Sequence, residues 1–184
     1  AVSLKLVPHP TLAAASAGML SVDGRCKSLD VRANGYVRGE GVGMVLLQRS
    51  SEKTQSVEYA KILGSSVQQD GRSSTLTAPN GPSQESTIRT ALRDASLIPD
   101  DIDFIECHGT GTPLGDPIEV HGIRNVFGNG RSRPLYLTAV KTNVGHLETA
   151  AGIAGLIKVV LCFQNRKLPP NVNFELLLLK SLIY

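Results

Sequence analysis

The chain has 184 residues, 41% of them hydrophobic and 19% charged, with a formal net charge of +3. This is a globular balance, long enough for one core or for part of a larger one, and the charge is too mild to argue for nucleic acid. Aromatics are only 4% and Trp is absent, which speaks against stacking on bases or sugars as the main business.

In chain order, Ala1 to Val7 reads as a short strand stopped by Pro8 and Pro10, and Thr11 to Ala17 as a turn or two of helix. Leu20 to Gly43, rich in Gly and charge, reads as a structured loop, and the apolar run Val42 to Gln48 as a buried strand. Ser50 to Ser56 (SSEKTQS) is polar without periodicity and is the best junction between two sub-structures, after which Val57 to Val67 resumes a strand pattern. Ser83 with Glu85 opens a helix to about Leu97, with Ile88, Ala91, Leu92 and Ala95 on one face.

Ile102 to Cys107 and Leu135 to Val140 are short strands with a helix between them. That helix has Asp116 as N-cap, Pro117 as its first residue and Glu119 three after the cap. The last helix, Glu148 to Gln164, is apolar nearly all round, which predicts burial on most sides. Strands alternating with helices argue for an α/β fold with a buried sheet.

Cys26, Cys107 and Cys162 form no CxxC pair, so neither a disulfide framework nor a zinc knuckle is indicated. Reduced thiols in a cytoplasmic protein are the simple reading, or in a plastid if the parent is organellar; no targeting segment is visible. No apolar run is long enough to span a bilayer, and no membrane partner is expected. The missing initiator Met predicts that the chain begins inside something longer.

Two loops stand out, each following a strand and preceding a helix: Cys107 to Pro117 (CHGTGTPLGDP) and Lys141 to Glu148 (KTNVGHLE). Ligands gather at the carboxyl ends of strands in open α/β sheets. Thr110 and Thr112 offer hydroxyls to an amide-containing ligand. His146 stands before a helix N-terminus, which disfavours an imidazolium and leaves a neutral donor. Two neutral imidazoles, His108 and His146, aimed at one point would stabilise charge growing on a carbonyl oxygen. The plainer readings are structural hydrogen-bonding for each His, capping for Glu119 and a surface position for Lys141. A metal cluster of His108, His146, Cys107 and His121 has no recognised ligand spacing, and HGTGTPLG lacks the spacing of a nucleotide loop.

At these residues the sequence resembles a known family. IECHGTGTPLGDPIEV and KTNVGHLETAAGIAGLIKVVL look like the two histidine signatures of the β-ketoacyl synthases, and DGRCKSLDVRANGYVRGEGVGMVLL resembles the segment after their nucleophile. DGRSSTLTAPNGPSQ is closest to the type I polyketide synthase branch. The resemblance implies a thiolase-like five-layer α-β-α-β-α fold, here truncated at both ends, built of two halves and usually homodimeric. Residues 1–50 would close the first half, 51–56 form the junction and 57–184 supply most of the second.

The implied reaction is decarboxylative Claisen condensation of an acyl thioester with a malonyl-type carrier-protein thioester, in polyketide or fatty-acid biosynthesis. His108 and His146 match the family histidines that bond the malonyl thioester oxygen. Lys141 matches the lysine that positions them, Glu119 matches its ion-pair partner, and Thr110 and Thr112 match contacts to the phosphopantetheine arm of the acyl carrier protein. No cofactor of its own is implied; the partners are the carrier protein, a second ketosynthase and other synthase domains. The family's Ala-Cys-Ser nucleophile motif and its Gly-Phe-Gly-Gly loop have no match here, and Glu175 to Tyr184 departs from the family pattern. The isolated chain should therefore not condense anything. The competing reading from another class is a non-catalytic remnant or a chain-length-setting or decarboxylating partner. A thiolase-type enzyme fits less well.

Overall fold

The protein is described by a computed structural model covering residues 1–49, 57–73, 78–128 and 130–177. Its elements are β1 (Val2–Ser3), α1 (His9–Ser16), β2 (Gly41–Val42), α2 (Gly81–Ala95), β3 (Phe104–Glu106), α3 (Gly115–Phe127), β4 (Tyr136–Thr138), α4 (Lys141–Val144) and α5 (Ala151–Asn165). The strand–helix–strand unit expected around α3 is present: β3 and β4 pair in parallel, with Phe104 opposite Tyr136 and Glu106 opposite Thr138. Parallel pairing requires a crossover connection, and α3 provides it.

The larger core lies between this sheet and the helices. Cys107, Ile123, Val126 and Phe127 are its buried centre, and Ile88 and Leu92 of α2 and Ile105 and Leu137 of the strands pack against it. Ile88 and Leu92 are four apart, so they share one face of α2 and turn it toward α3. The helix begins earlier than Ser83: Asn80 is the N-cap, its side chain accepting from the Ser83 amide at 3.3 Å. Pro82 then falls in the first turn, where a missing N–H costs nothing.

Three strand or burial expectations need correction. Of Val42 to Gln48, only Val42 belongs to a strand, in an antiparallel pair that sets Val2 against Val42 and Ser3 against Gly41. No described strand lies beside the rest, and Met44 and Leu46 are 88% and 93% exposed. Val57 to Val67 forms no ladder either; it runs over α2, where the Ser65 amide donates to Asp94 at 2.8 Å. Gly64 approaches so closely that a Cβ there would lie 2.5 Å from the Ala91 carbonyl oxygen. The third concerns α5. Ala151, Gly155, Lys158 and Cys162 face inward, but Leu161 and Phe163 are half-exposed. With β2 and Leu168 the helix also lines an apolar groove of about 750 Å³.

The junction at Ser50 to Ser56 lies outside the described residues, as do residues 178–184 of the divergent tail. The start of that tail is held in place. Leu177 bridges antiparallel to Asp30, and the Glu175 and Leu176 amides donate to the Asp30 carboxylate at 2.6 and 3.0 Å. Burial pushes the Asp30 carboxyl up, but Arg32 and these amides outweigh it and hold it well below the carboxylate range. No helix among the described residues is long and apolar enough to cross a membrane.

Candidate active site

The loops leaving β3 and β4 run side by side and bring His108 and His146 together, their ring centroids 5.5 Å apart and edge to face. His146 is fixed by neighbours on every side. Its amide donates to the Val37 carbonyl at 2.7 Å, its carbonyl accepts from Gly39 at 2.9 Å, and Tyr36 stacks edge-on at 5.1 Å. Gly145, at φ +76°, makes the turn into it; a Cβ there would lie 3.1 Å from the Val37 carbonyl oxygen.

The tautomer of His146 follows from one contact. The Glu148 amide donates to Nδ1 at 3.0 Å. An amide can only donate, so Nδ1 accepts and the proton of the neutral ring is on Nε2. Burial, together with Lys141 and His108, lowers the His146 pKa from 6.5 to about 4. Burial and Lys141 lower that of His108 to about 4 as well. His108 is partly exposed, and water there screens part of the effect. Both rings are neutral at pH 7, as the sequence predicted for His146, though the cause differs. The helix after His146 starts with a short 3₁₀ turn, and burial is the largest cause of the lowering.

Glu119 is placed differently from expectation. It is no reciprocal cap, because α3 starts at Gly115 and the residue before it makes no side-chain cap bond. Nor does it pair with Lys141; no carboxylate among the described residues lies within ion-pair distance of that ammonium. Its two oxygens instead accept the His108 amide at 2.6 Å and the Gly109 amide at 2.8 Å. Burial raises the Glu119 carboxyl, and these amides oppose the rise. Lys141, 5% exposed at the start of α4, is lowered by burial and raised by the fields of Glu119 and Glu106. The coupling is through space, without contact.

Asp116 is also no cap. It is fully buried and accepts from Leu29 at 2.7 Å, Gly111 at 3.0 Å and Thr112 at 3.4 Å, so it gathers the histidine loop against the Ser28–Leu29 turn. Gly111 is needed there, since a Cβ would stand 2.8 Å from the Lys27 amide nitrogen at φ +80°. Thr112 takes the Gly115 amide at 3.1 Å, and its hydroxyl lies 3.2 Å from that of Thr110. Thr110 is buried and Thr112 half-buried.

Several residues of the site escaped the sequence reading. Glu148 binds Arg38 through two nitrogens, at 2.7 and 2.9 Å, and Lys5 at 3.1 Å. Glu106 and Lys158 form an ion pair at 2.7 Å with side chains only 11% and 10% exposed. A lysine in the middle of AGIAGLIKVVL was the available signal, since a buried ammonium needs a buried partner. All three cysteines are buried. Burial raises the thiols of Cys26 and Cys107, the opposite of an activated nucleophile.

Residues 1–53 match the family model for the beta-ketoacyl synthase N-terminal domain, and residues 59–175 the one for its C-terminal domain. The chain is 48% identical over 176 residues to a phenolphthiocerol/phthiocerol polyketide synthase of Mycobacterium tuberculosis, across 94% of this chain and 8% of that protein. It is 47% identical over 175 residues to a highly reducing polyketide synthase of Aspergillus terreus, across 94% of this chain and 7% of the relative. Among solved structures, the ketosynthase from module 6 of the bacillaene synthase of Bacillus subtilis superposes with a TM-score of 0.92 at 40% identity, over 96% of this chain and 32% of that one. An oxazolomycin ketosynthase domain of Streptomyces albus gives 0.93 at 37% identity, over 98% and 34%. The chain thus spans about a third of these ketosynthases and less than a tenth of the polyketide synthases.

Proposed function

This chain belongs to the β-ketoacyl synthase family, within the ketosynthases of polyketide synthases and their thiolase-like α/β fold, and from that premise we propose that it supplies the two-histidine part of a condensing site. The reaction is decarboxylative Claisen condensation. The C–C bond to the malonyl carboxylate breaks, CO₂ leaves, and the electron pair passes into an enolate whose oxygen takes the charge. The enolate carbon then attacks an acyl thioester and expels the thiolate that carried it.

The observation that carries this reading is the His146 tautomer. With Nδ1 held by the Glu148 amide, Nε2–H is a fixed donor, and neutral His108 lies edge-on beside it. Preorganised donors aimed at a developing oxyanion need no reorganisation during reaction and lower the barrier by electrostatics. In this reading Glu119 fixes the His108 loop, Lys141 adds positive potential, and Thr112, with Thr110 behind it, meets the phosphopantetheine arm of a carrier protein. The acyl-bearing thiol comes from the part of the ketosynthase outside this chain, and the apolar groove beside α5 and the open 43–47 segment are surfaces that part would cover. The division of the chain at 51–56 is supported by the two family models, which meet between residues 53 and 59. Pairing into a homodimer, service to polyketide rather than fatty-acid assembly and a cytoplasmic setting belong to the same proposal.

The test is CO₂ release from a malonyl thioester by the intact ketosynthase that carries this segment. His146→Ala and His108→Ala should each slow release about 10²–10³-fold, the usual cost of one oxyanion donor. Release near the wild-type rate from either folded variant would refute the two-histidine role.

A further inference from the structure

We propose that Glu106 is a positioning residue for the two-histidine site, its one carboxylate tying together the exits of β3 and β4 and the inner face of α5. One oxygen accepts the Val140 amide at 2.5 Å. The other accepts the Thr138 hydroxyl and the Lys158 ammonium, both at 2.7 Å. Gly155 of α5 closes over it; a Cβ at 155 would lie 3.2 Å from the Glu106 Cγ.

The place of this carboxylate in the chain gives it leverage. His108 follows Glu106 by two residues, while Val140 leads directly into Lys141 and the turn that ends at His146, closed by the Gly145 amide on the Lys141 carbonyl at 2.9 Å. Glu119 reaches only the His108 loop. Glu106 reaches the roots of both loops, so its hydrogen bonds set their separation. Neutralising Lys158 alone would need one oxygen, and a hydrophobic pair of similar size would be no less stable. A carboxylate shared among donors of two loops and a helix does more than neutralise.

This rests on the condensing-site reading, so the experiment separates the two. In the intact ketosynthase, CO₂ release is measured as kcat and KM for two double variants that each remove both buried charges. Glu106→Gln with Lys158→Met leaves a carbonyl to accept the Val140 amide, whereas Glu106→Ala with Lys158→Met leaves none. The first should keep kcat within about 1.5-fold, and the second should lose about 10- to 100-fold in kcat with KM unchanged, the scale of a sub-ångström to ångström misplacement. A cooperatively melting Ala/Met variant with the kcat of the Gln/Met variant would overturn the assignment, and so would an equal loss in both, which would trace the effect to charge. If the Ala/Met variant does not fold, Thr138→Val cuts one of the same bonds without touching a charge. It should lower kcat about 3-fold at constant KM, and an unchanged kcat would overturn the proposal. Wild-type release that His146→Ala fails to remove would refute the two-histidine reading instead.

Discussion

Glu119→Gln separates two accounts of one carboxylate. As an ion-pair partner of Lys141 it would act on the lysine; as built, it holds the His108 and Gly109 amides. The Gln side chain keeps one carbonyl oxygen, which satisfies one amide with a neutral bond in place of a charged one, a loss of about 1 kcal/mol. Its NH₂ group faces the other amide as donor against donor, leaving that buried N–H unsatisfied at about 1–3 kcal/mol. Removing a buried charge returns part of this, because burial already disfavours the ionised form of Glu119. The net is a destabilisation of about 2 kcal/mol, or a fall of about 2 °C in melting temperature for an intact ketosynthase about three times the length of this chain. With the His108 loop loosened, kcat for CO₂ release should fall about 10-fold or more. Thermal unfolding by circular dichroism and CO₂ release on the same preparation give both numbers. An unchanged melting temperature with a changed pH profile would refute the anchoring account and restore the ion pair.

Two pH effects follow from the same geometry, in different windows. The unfolded chain protonates His146 below pH 6.5, and the folded one resists until about 4, so the unfolded state binds more protons between these values and stability falls as pH drops through them. After discounting for partial exposure the His146 share of the loss is about 1 kcal/mol at pH 5, visible as a lower urea midpoint than at pH 7. His146→Ala should reduce the loss without abolishing it, since His108 titrates in the same window. Glu148 runs by the acid rule: the Arg38 hydrogen bonds, against burial and with help from Lys5, depress it from 4.5 to about 2. Its contribution is complete above pH 4.5 and lost as pH falls toward 2, so Glu148→Gln should flatten the urea midpoint across that range alone. An unflattened profile would mean the Arg38–Glu148 pair contributes nothing.

The βαβ unit was legible because its signals are local: short apolar strands with an apolar stripe at helical spacing on α3 between them. The two histidine loops were legible for the same reason, each a distinctive run between a strand and a helix. The roles of Asp116 and Glu119 were not. Both carry cap-like spacing at the start of a helix, and nothing local says that their carboxylates turn back to amides of the preceding loop and of Leu29. The 43–47 run misled for a complementary reason. Its composition calls for burial on both faces, but composition does not name the neighbour that buries it, and no described strand does. Glu106 and Arg38 make their side-chain contacts 27 to 110 residues away in sequence, beyond any periodicity.

The acids and the lysine of the site follow one electrostatic logic. Glu119 and Asp116 are saturated by backbone amides, and Glu106 by an amide, a hydroxyl and Lys158. Each negative charge is thereby tied to donors at the root of a loop, behind the histidines. Lys141, buried among them with no described carboxylate in contact, keeps its field unspent. A direct salt bridge would cancel that field at short range, whereas a separated cation in a low-dielectric setting still acts over several ångströms. The same field helps hold both imidazoles neutral, and a neutral imidazole keeps one N–H to donate. In the proposed reaction, charge growing on a thioester oxygen beside the histidines would meet donors and a separated cation already in place. Saturating these carboxylates with local donors thus fixes the loops and, in the proposed reaction, leaves the Lys141 field available to the developing charge.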